Sequence, residues 1–166
     1  MREMDEDVDV TGSELILTVM KKVQSSQKIT IDLAKLNLIL FLIEGDGQVR
    51  STLEFVETPA GPRSNFVAEF VKNNKNIISV RTARPKKNEK VSDSDYFRKL
   101  QLTEDGMRIA ANVTRLLPAR YVRIIEELTE RWIDQAHGQI LTYICLFYPD
   151  FCTSIAKRGK QLLEGN

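Results

Sequence analysis

AGPRSNFVAEFVKNNKNIISVRTARPKKNEKVSDSDYFRKLQLTEDG, residues Ala60–Gly106, carries two helix signals and two strand signals in one short run. It opens on a Gly61-Pro62 turn. Phe66, Val67, Phe70 and Val71 then recur at the spacing of one helix face. Ser64 or Asn65 is the expected cap, the four apolar residues the expected core side, and Asn73-Asn74-Lys75-Asn76 the stop. Ile77–Arg84 reads as a strand that ends where Pro85 removes a ladder donor. A polar tip, Pro85–Ser94, leads to a return strand over Asp95–Leu102, and Thr103 caps another helix. Helix, strand, basic loop, strand, helix is the outline of a winged helix-turn-helix. The expected fold class is α+β, predominantly helical, with a winged-helix-like core, a β-hairpin wing and extra C-terminal helices.

Toward the N-terminus, Ser13 is the expected cap of a helix over about Glu14–Ser25. Thr30 is the expected cap of a second, with Ile31 and Asp32 in its first turn. Leu33, Leu36, Ile39, Leu40 and Ile43 form one stripe, and Leu38, Phe41 and Leu42 lie off it. A helix apolar on most sides belongs at the centre of a core. Gly45-Asp46-Gly47 ends it. Val49–Glu57 fits a short edge strand through Leu53 and Phe55, or a helix continuing through Ser51 and Thr52.

Beyond the central stretch, Met107, Ile109, Ala110, Val113 and Leu117 follow helical spacing, and Pro118 suits the first position of the next helix. Tyr121, Ile125, Leu128 and Trp132 line one face of that helix. His137-Gly138 reads as a break, Gln139–Phe147 as a helix, and Thr153–Leu163 as a polar final helix. This gives an acidic, disordered arm at residues 1–12, a winged-helix-like domain at 13–106 and a helical extension at 107–166. The extension is expected to pair two chains into a homodimer, with Tyr121, Ile125, Leu128 and Trp132 at the interface. The alternative is that its helices pack back on the first two.

The formal net charge is only +1, and 42% of residues are hydrophobic. The distribution of charge says more. Residues 1–9 hold five acids against Arg2, whereas residues 61–102 hold ten basic and four acidic groups, a net of +6. Long basic side chains at a hairpin tip can reach a phosphate backbone and release counterions. Arg81, Arg84, Lys86, Lys87 and Lys90 are placed for this, unless they simply solvate a loop. The Gly61-Pro62-Arg63-Ser64 turn either sets a helix N-terminus, with its free N–H groups and the Arg63 charge, against a phosphate, or is a plain helix-entry turn. Asn65 and Lys72 lie on that helix's solvent side. DNA is therefore the expected partner, and transcriptional regulation the expected role. The alternative is a protein-interaction module without nucleic-acid contact.

No catalytic pattern surrounds His137, the only histidine, so no enzyme activity and no cofactor are expected. Cys145 and Cys152 leave a disulfide open and make no metal pattern. No GxxxxGK[ST] loop occurs, and no charged-then-apolar leader is visible. Leu38–Ile43 falls far short of the roughly 20 apolar residues of a bilayer span. A cytoplasmic location away from membranes is expected.

Thr58–Ile78, with its Gly61-Pro62-x-Ser64, its helix and its closing Ile77-Ile78, resembles the YGPYS-helix-GLI stretch of YwgA-like proteins. The related Panacea (SocA-like antitoxin) proteins carry a similar stretch. Leu100–Gly106, LQLTEDG, resembles the y-x-LT-x-x-G segment closing their hairpin, and Ile144–Phe151, ICLFYPDF, is similar to their late VYxxYPEY. Ala60 stands where the aromatic of YGP is usual, and the hairpin tip is longer. The resemblance implies a mostly helical, winged-helix-like module, often phage- or plasmid-associated, and in some members an antitoxin.

Overall fold

A computed structural model describes residues 8–26, 30–81 and 98–153, which form six α-helices and five short strands, an α+β fold dominated by helix. In chain order these are α1 (Gly12–Ser25), β1 (Ile31–Asp32), α2 (Leu33–Gly45), β2 (Val56–Thr58) and β3 (Gly61–Arg63). Then follow α3 (Asn65–Asn73), β4 (Ile78–Arg81), β5 (Lys99–Leu102), α4 (Glu104–Leu116), α5 (Ala119–Ile133) and α6 (His137–Phe147). A single 3-10 turn, Pro149–Phe151, closes the series. Most of the acidic arm, the hairpin tip and nearly all of the expected final helix lie outside the described residues.

Two helix starts differ from expectation, and hydrogen bonding explains both. Thr11, not Ser13, caps α1, because it stands three residues before Glu14 and the two exchange bonds. The Glu14 N–H donates to Thr11 Oγ1 at 3.2 Å and the Thr11 N–H to Glu14 Oε1 at 2.9 Å. The described chain also reaches into the expected arm. Val10 is buried, and the Asp9 carboxylate accepts from the Arg50 N–H and the Tyr121 hydroxyl. Those bonds, the backbone one foremost, hold its carboxyl below the usual range. At α2, Asp32 replaces Thr30 as cap and accepts from the Lys35 N–H at 2.7 Å. Ile31 and Asp32 are drawn into a strand instead of a first turn, because Leu100 and Lys99 pair with them.

The main sheet is antiparallel with strand order β1–β5–β4. Its register sets Ile78 opposite Leu102 and Val80 opposite Leu100, so these four share a face. Residues 49–55 are neither the expected strand nor a helix. Only Val56–Thr58 finds a ladder partner, Gly61–Arg63, across a two-residue turn. Gly61-Pro62-Arg63 is thus a strand rather than a turn, and Gly61 takes a φ of +106° that favours glycine.

The core gathers on α2, where every residue from Leu33 to Ile43 except Lys35 is buried. α1 packs on α4 and α5, and α2 packs on α5, α6 and β3. The C-terminal helices therefore fold back onto the first two. Ile125 is fully buried and Trp132 is 7% exposed, within the chain's own core. The stripe expected at a dimer interface is corrected accordingly: its apolar centre is consumed by α1 and α2, and Tyr121 and Leu128 are half-buried beside it. The break lies before His137 rather than at His137-Gly138, since α6 already starts at His137. Cys145 and Cys152 form a disulfide between α6 and the residue after the 3-10 turn.

Gly106 explains the LT-x-x-G spacing. The Thr103 side chain accepts from its N–H at 3.1 Å and donates to the Asn76 carbonyl, clamping α4 onto the start of β4. A Cβ at Gly106 would lie 2.1 Å from the Ile77 carbonyl oxygen. Alanine normally gains about 0.5–1 kcal/mol over glycine in a helix. Here the clash with backbone wins, and Gly106→Ala is expected to lower stability by about 1–3 kcal/mol in urea denaturation. Gly138→Ala, whose Cβ would meet nothing within 4 Å, serves as the control and is expected not to destabilise.

Candidate nucleic-acid interface

The surface begins with how α3 is set. Asn37 is fully buried on the apolar α2. Its Nδ2 donates to the Leu33 carbonyl at 2.9 Å, and its Oδ1 accepts from the Ser64 N–H at 2.9 Å. One amide thereby fixes where α3 starts. Ser64 is the N-cap by position, but its buried hydroxyl does not bond the helix. Val67 and Val71 face the core as the spacing predicts, whereas Phe70 is half-buried and Phe66 is 39% exposed. The expectation that all four are core is corrected. A nine-residue helix buries a narrow stripe, and Phe66 sits at its edge, stacked on Phe70 at 6.2 Å.

The free face of α3 presents Asn65, Glu69, Lys72 and Asn73 to solvent. Asn74 is a helix terminator, with its Nδ2 donating to the Phe70 carbonyl at 2.8 Å. The anion expected at the Gly61–Ser64 turn meets unfavourable ground. The space before α3 is lined by Thr52, Glu54, Val56, Ser64, Asn65 and Phe66, an acid and no base. Arg63 lines a different cleft, one shared with Lys72, Lys75 and Arg98. The structure thus brings Arg63 and Lys72 together, away from the helix start.

A second group of cations stands at the base of the hairpin. Arg81 is exposed at the end of β4, directly opposite Lys99 in the ladder. Like charges in that position repel. Asp32 offsets part of this, at 3.7 Å from Lys99. Arg84, Lys86, Lys87 and Lys90 lie outside the described residues. Lys75, Arg98 and Lys99 were not among the expected contacts. Lys75 follows Lys72 by three, but the helix stop hides that spacing. Arg98 precedes Leu100 by two and so continues its side of the strand.

His137 is not part of this surface. It neighbours Asp32 and Lys35, and burial pushes its imidazole below the usual range. Among the described residues no cluster of His, Cys, Asp and Glu could hold a metal, and no helix is long and apolar enough to cross a membrane. In comparisons with known proteins, no family model, no curated sequence and no solved structure matches the chain.

Asn37→Leu keeps the volume and removes the acceptor, leaving the Ser64 N–H buried and unpaired. The expected cost is about 1–3 kcal/mol. Hydrogen exchange at Ser64 is expected to accelerate beyond the global change, because the start of α3 loses its anchor.

Proposed function

We propose that this is a DNA-binding winged-helix protein, a cytoplasmic transcriptional regulator acting as a homodimer. The connectivity carries the reading. A strand between the first two helices pairs with the second strand of a hairpin that directly follows the third helix, in the order β1–β5–β4. In that arrangement α2 and α3 are the helix-turn-helix pair, and α3 is the helix offered to a major groove. The turn between them is replaced by a longer segment containing the β2–β3 hairpin. Lys72 is exposed on α3, and Arg81 and Lys99 are exposed at the hairpin base on the other face of the sheet; these three would contact phosphates. Asn65 and Asn73 are the candidates for base edges.

With Ile125 and Trp132 covered, a second copy would dock elsewhere on the C-terminal helices. Leu146 is 73% and Phe147 63% exposed at the end of α6, two adjacent apolar residues left largely open among the described residues. The same pair favours the second reading, an antitoxin-like module of the kind the YwgA and Panacea resemblance implies, binding a protein instead of DNA.

Two measurements test these readings. In gel shifts on mixed-sequence duplex, binding is expected at low salt and to weaken steeply as salt rises. Arg81→Ala with Lys99→Ala is expected to flatten the log–log salt slope by about 2. Absence of binding at 50 mM salt, or an unchanged slope, counts against DNA. In light scattering, a dimer mass is expected, falling to a monomer for Leu146→Ser with Phe147→Ser. A wild-type monomer removes the homodimer and leaves that face to a different protein.

A further inference from the structure

We propose that the cleft between α3 and the three-stranded sheet binds an amphipathic organic anion, a molecule with an apolar body and a carboxylate, sulfonate or phosphate head. The cleft measures about 330 Å³, within the range of small-molecule sites. One wall is a stripe of α3, where Ala68, Val71 and Lys72 recur at helical spacing, continued by Lys75 in the turn that follows the helix. The other is the sheet face on which Val80 and Leu100 stand opposite each other.

The floor is apolar and incompletely covered. Leu100 and Val71 are 2% and 8% exposed, but Ala68 and Val80 remain half-buried, so a hydrocarbon or ring would remove further apolar surface from water. The rim is uniformly cationic. Lys72 stands on the helix and Lys75 in the turn after it, Arg63 ends β3 and Arg98 precedes β5, and among the described residues no acid lines the space. Lys72 and Lys75, both exposed beside a low-dielectric floor, focus positive potential into it.

Neither feature alone selects this ligand class. Inorganic phosphate would use the rim and leave the floor wet. A neutral alcohol would use the floor and gain nothing from the rim. A nucleic-acid backbone is polar throughout and has no group for Val80 and Leu100. Only a molecule that is apolar at one end and anionic at the other uses both. This inference does not depend on the DNA reading, and either can fail without the other.

The probe is 8-anilinonaphthalene-1-sulfonate, an aromatic body with one sulfonate, titrated into the folded full-length chain. One saturable fluorescent site is expected. Decanoate is expected to displace the probe at least tenfold more effectively than decanol or inorganic phosphate. Lys72→Glu with Lys75→Glu is expected to weaken binding at least tenfold, and both residues are exposed, so the fold should be kept. Ala68→Phe fills the cleft without touching the charge and is expected to abolish the signal. Leu146→Ser with Phe147→Ser is expected to leave it intact. The inference is overturned if decanol or phosphate competes as well as decanoate. It is overturned equally if the cleft variants bind like wild type or if the α6 variant alone loses the probe.

Discussion

A helix with no solvent face sets the terms for the rest of the molecule. From Leu33 to Ile43 only Lys35 escapes burial on α2, so other elements must cover it on every side. α5, α6 and β3 do so, and α1 links that layer to α4. Such a helix cannot hold its neighbours by surface ion pairs, and apolar packing alone does not fix register along its length. Asn37 supplies the direction. Its amide spends its donor within α2 and its acceptor on the Ser64 N–H, so the position of α3 is tied to one turn of the central helix. Lys35 is handled similarly, with its ammonium donating to the Ile133 carbonyl at the end of α5.

The far end of α2 shows the same economy. Asp46 stands at the helix C-terminus, where a carboxylate opposes the macrodipole. The hydroxyls of Tyr143 and Tyr148 both donate to it, and burial and this carboxylate together keep the Tyr148 proton in place well above the ordinary tyrosine range. Tyr148 and Phe151 also pack edge-on against Phe41, at 5.1 and 4.7 Å. The Cys145–Cys152 disulfide closes the loop that carries both rings. The end of the described chain is thus held to the core helix by aromatic contacts and hydrogen bonds to Asp46, and the disulfide ties it back to α6. That sealing is why the stripes of α5 and α6 are internal surfaces.

The parts legible in the sequence were those written in periodicity and local caps. The all-round apolarity of α2, the α3 stripe about Val67 and Val71, Thr103 as a cap and the turn into α5 at Pro118 are each set within a few residues. The parts that were not legible depend on partners distant in the chain. Ile31 and Asp32 become a strand only because Lys99 and Leu100 arrive beside them. Residues 49–55 look like strand or helix and are neither, because among the described residues no strand pairs with them and the Asp9–Val10 backbone bonds them only at Arg50. The Tyr121 to Trp132 stripe could be matched equally well by a second copy or by α1 and α2, and spacing alone cannot choose between them. Lys75 and Arg98 join Arg63 and Lys72 only once α3 lies against the sheet.

Stability explains the core but not the side of the molecule formed by α3 and the hairpin base. Placing Arg81 opposite Lys99 costs repulsion that a threonine or glutamate at either position would remove. Phe66 keeps a large ring partly in water at the start of a helix whose cap makes no side-chain bond, although a bonded cap is worth about 1 kcal/mol. Val80 leaves apolar surface uncovered in a cleft edged by Lys72 and Lys75, an arrangement that does not improve packing. These choices break local rules around α3 and the hairpin base, on both faces of the sheet. Departures from local consistency concentrate where a chain meets something other than itself. That clustering, together with the β1–β5–β4 connectivity, is the physical reason to look for the partner at α3 and the sheet.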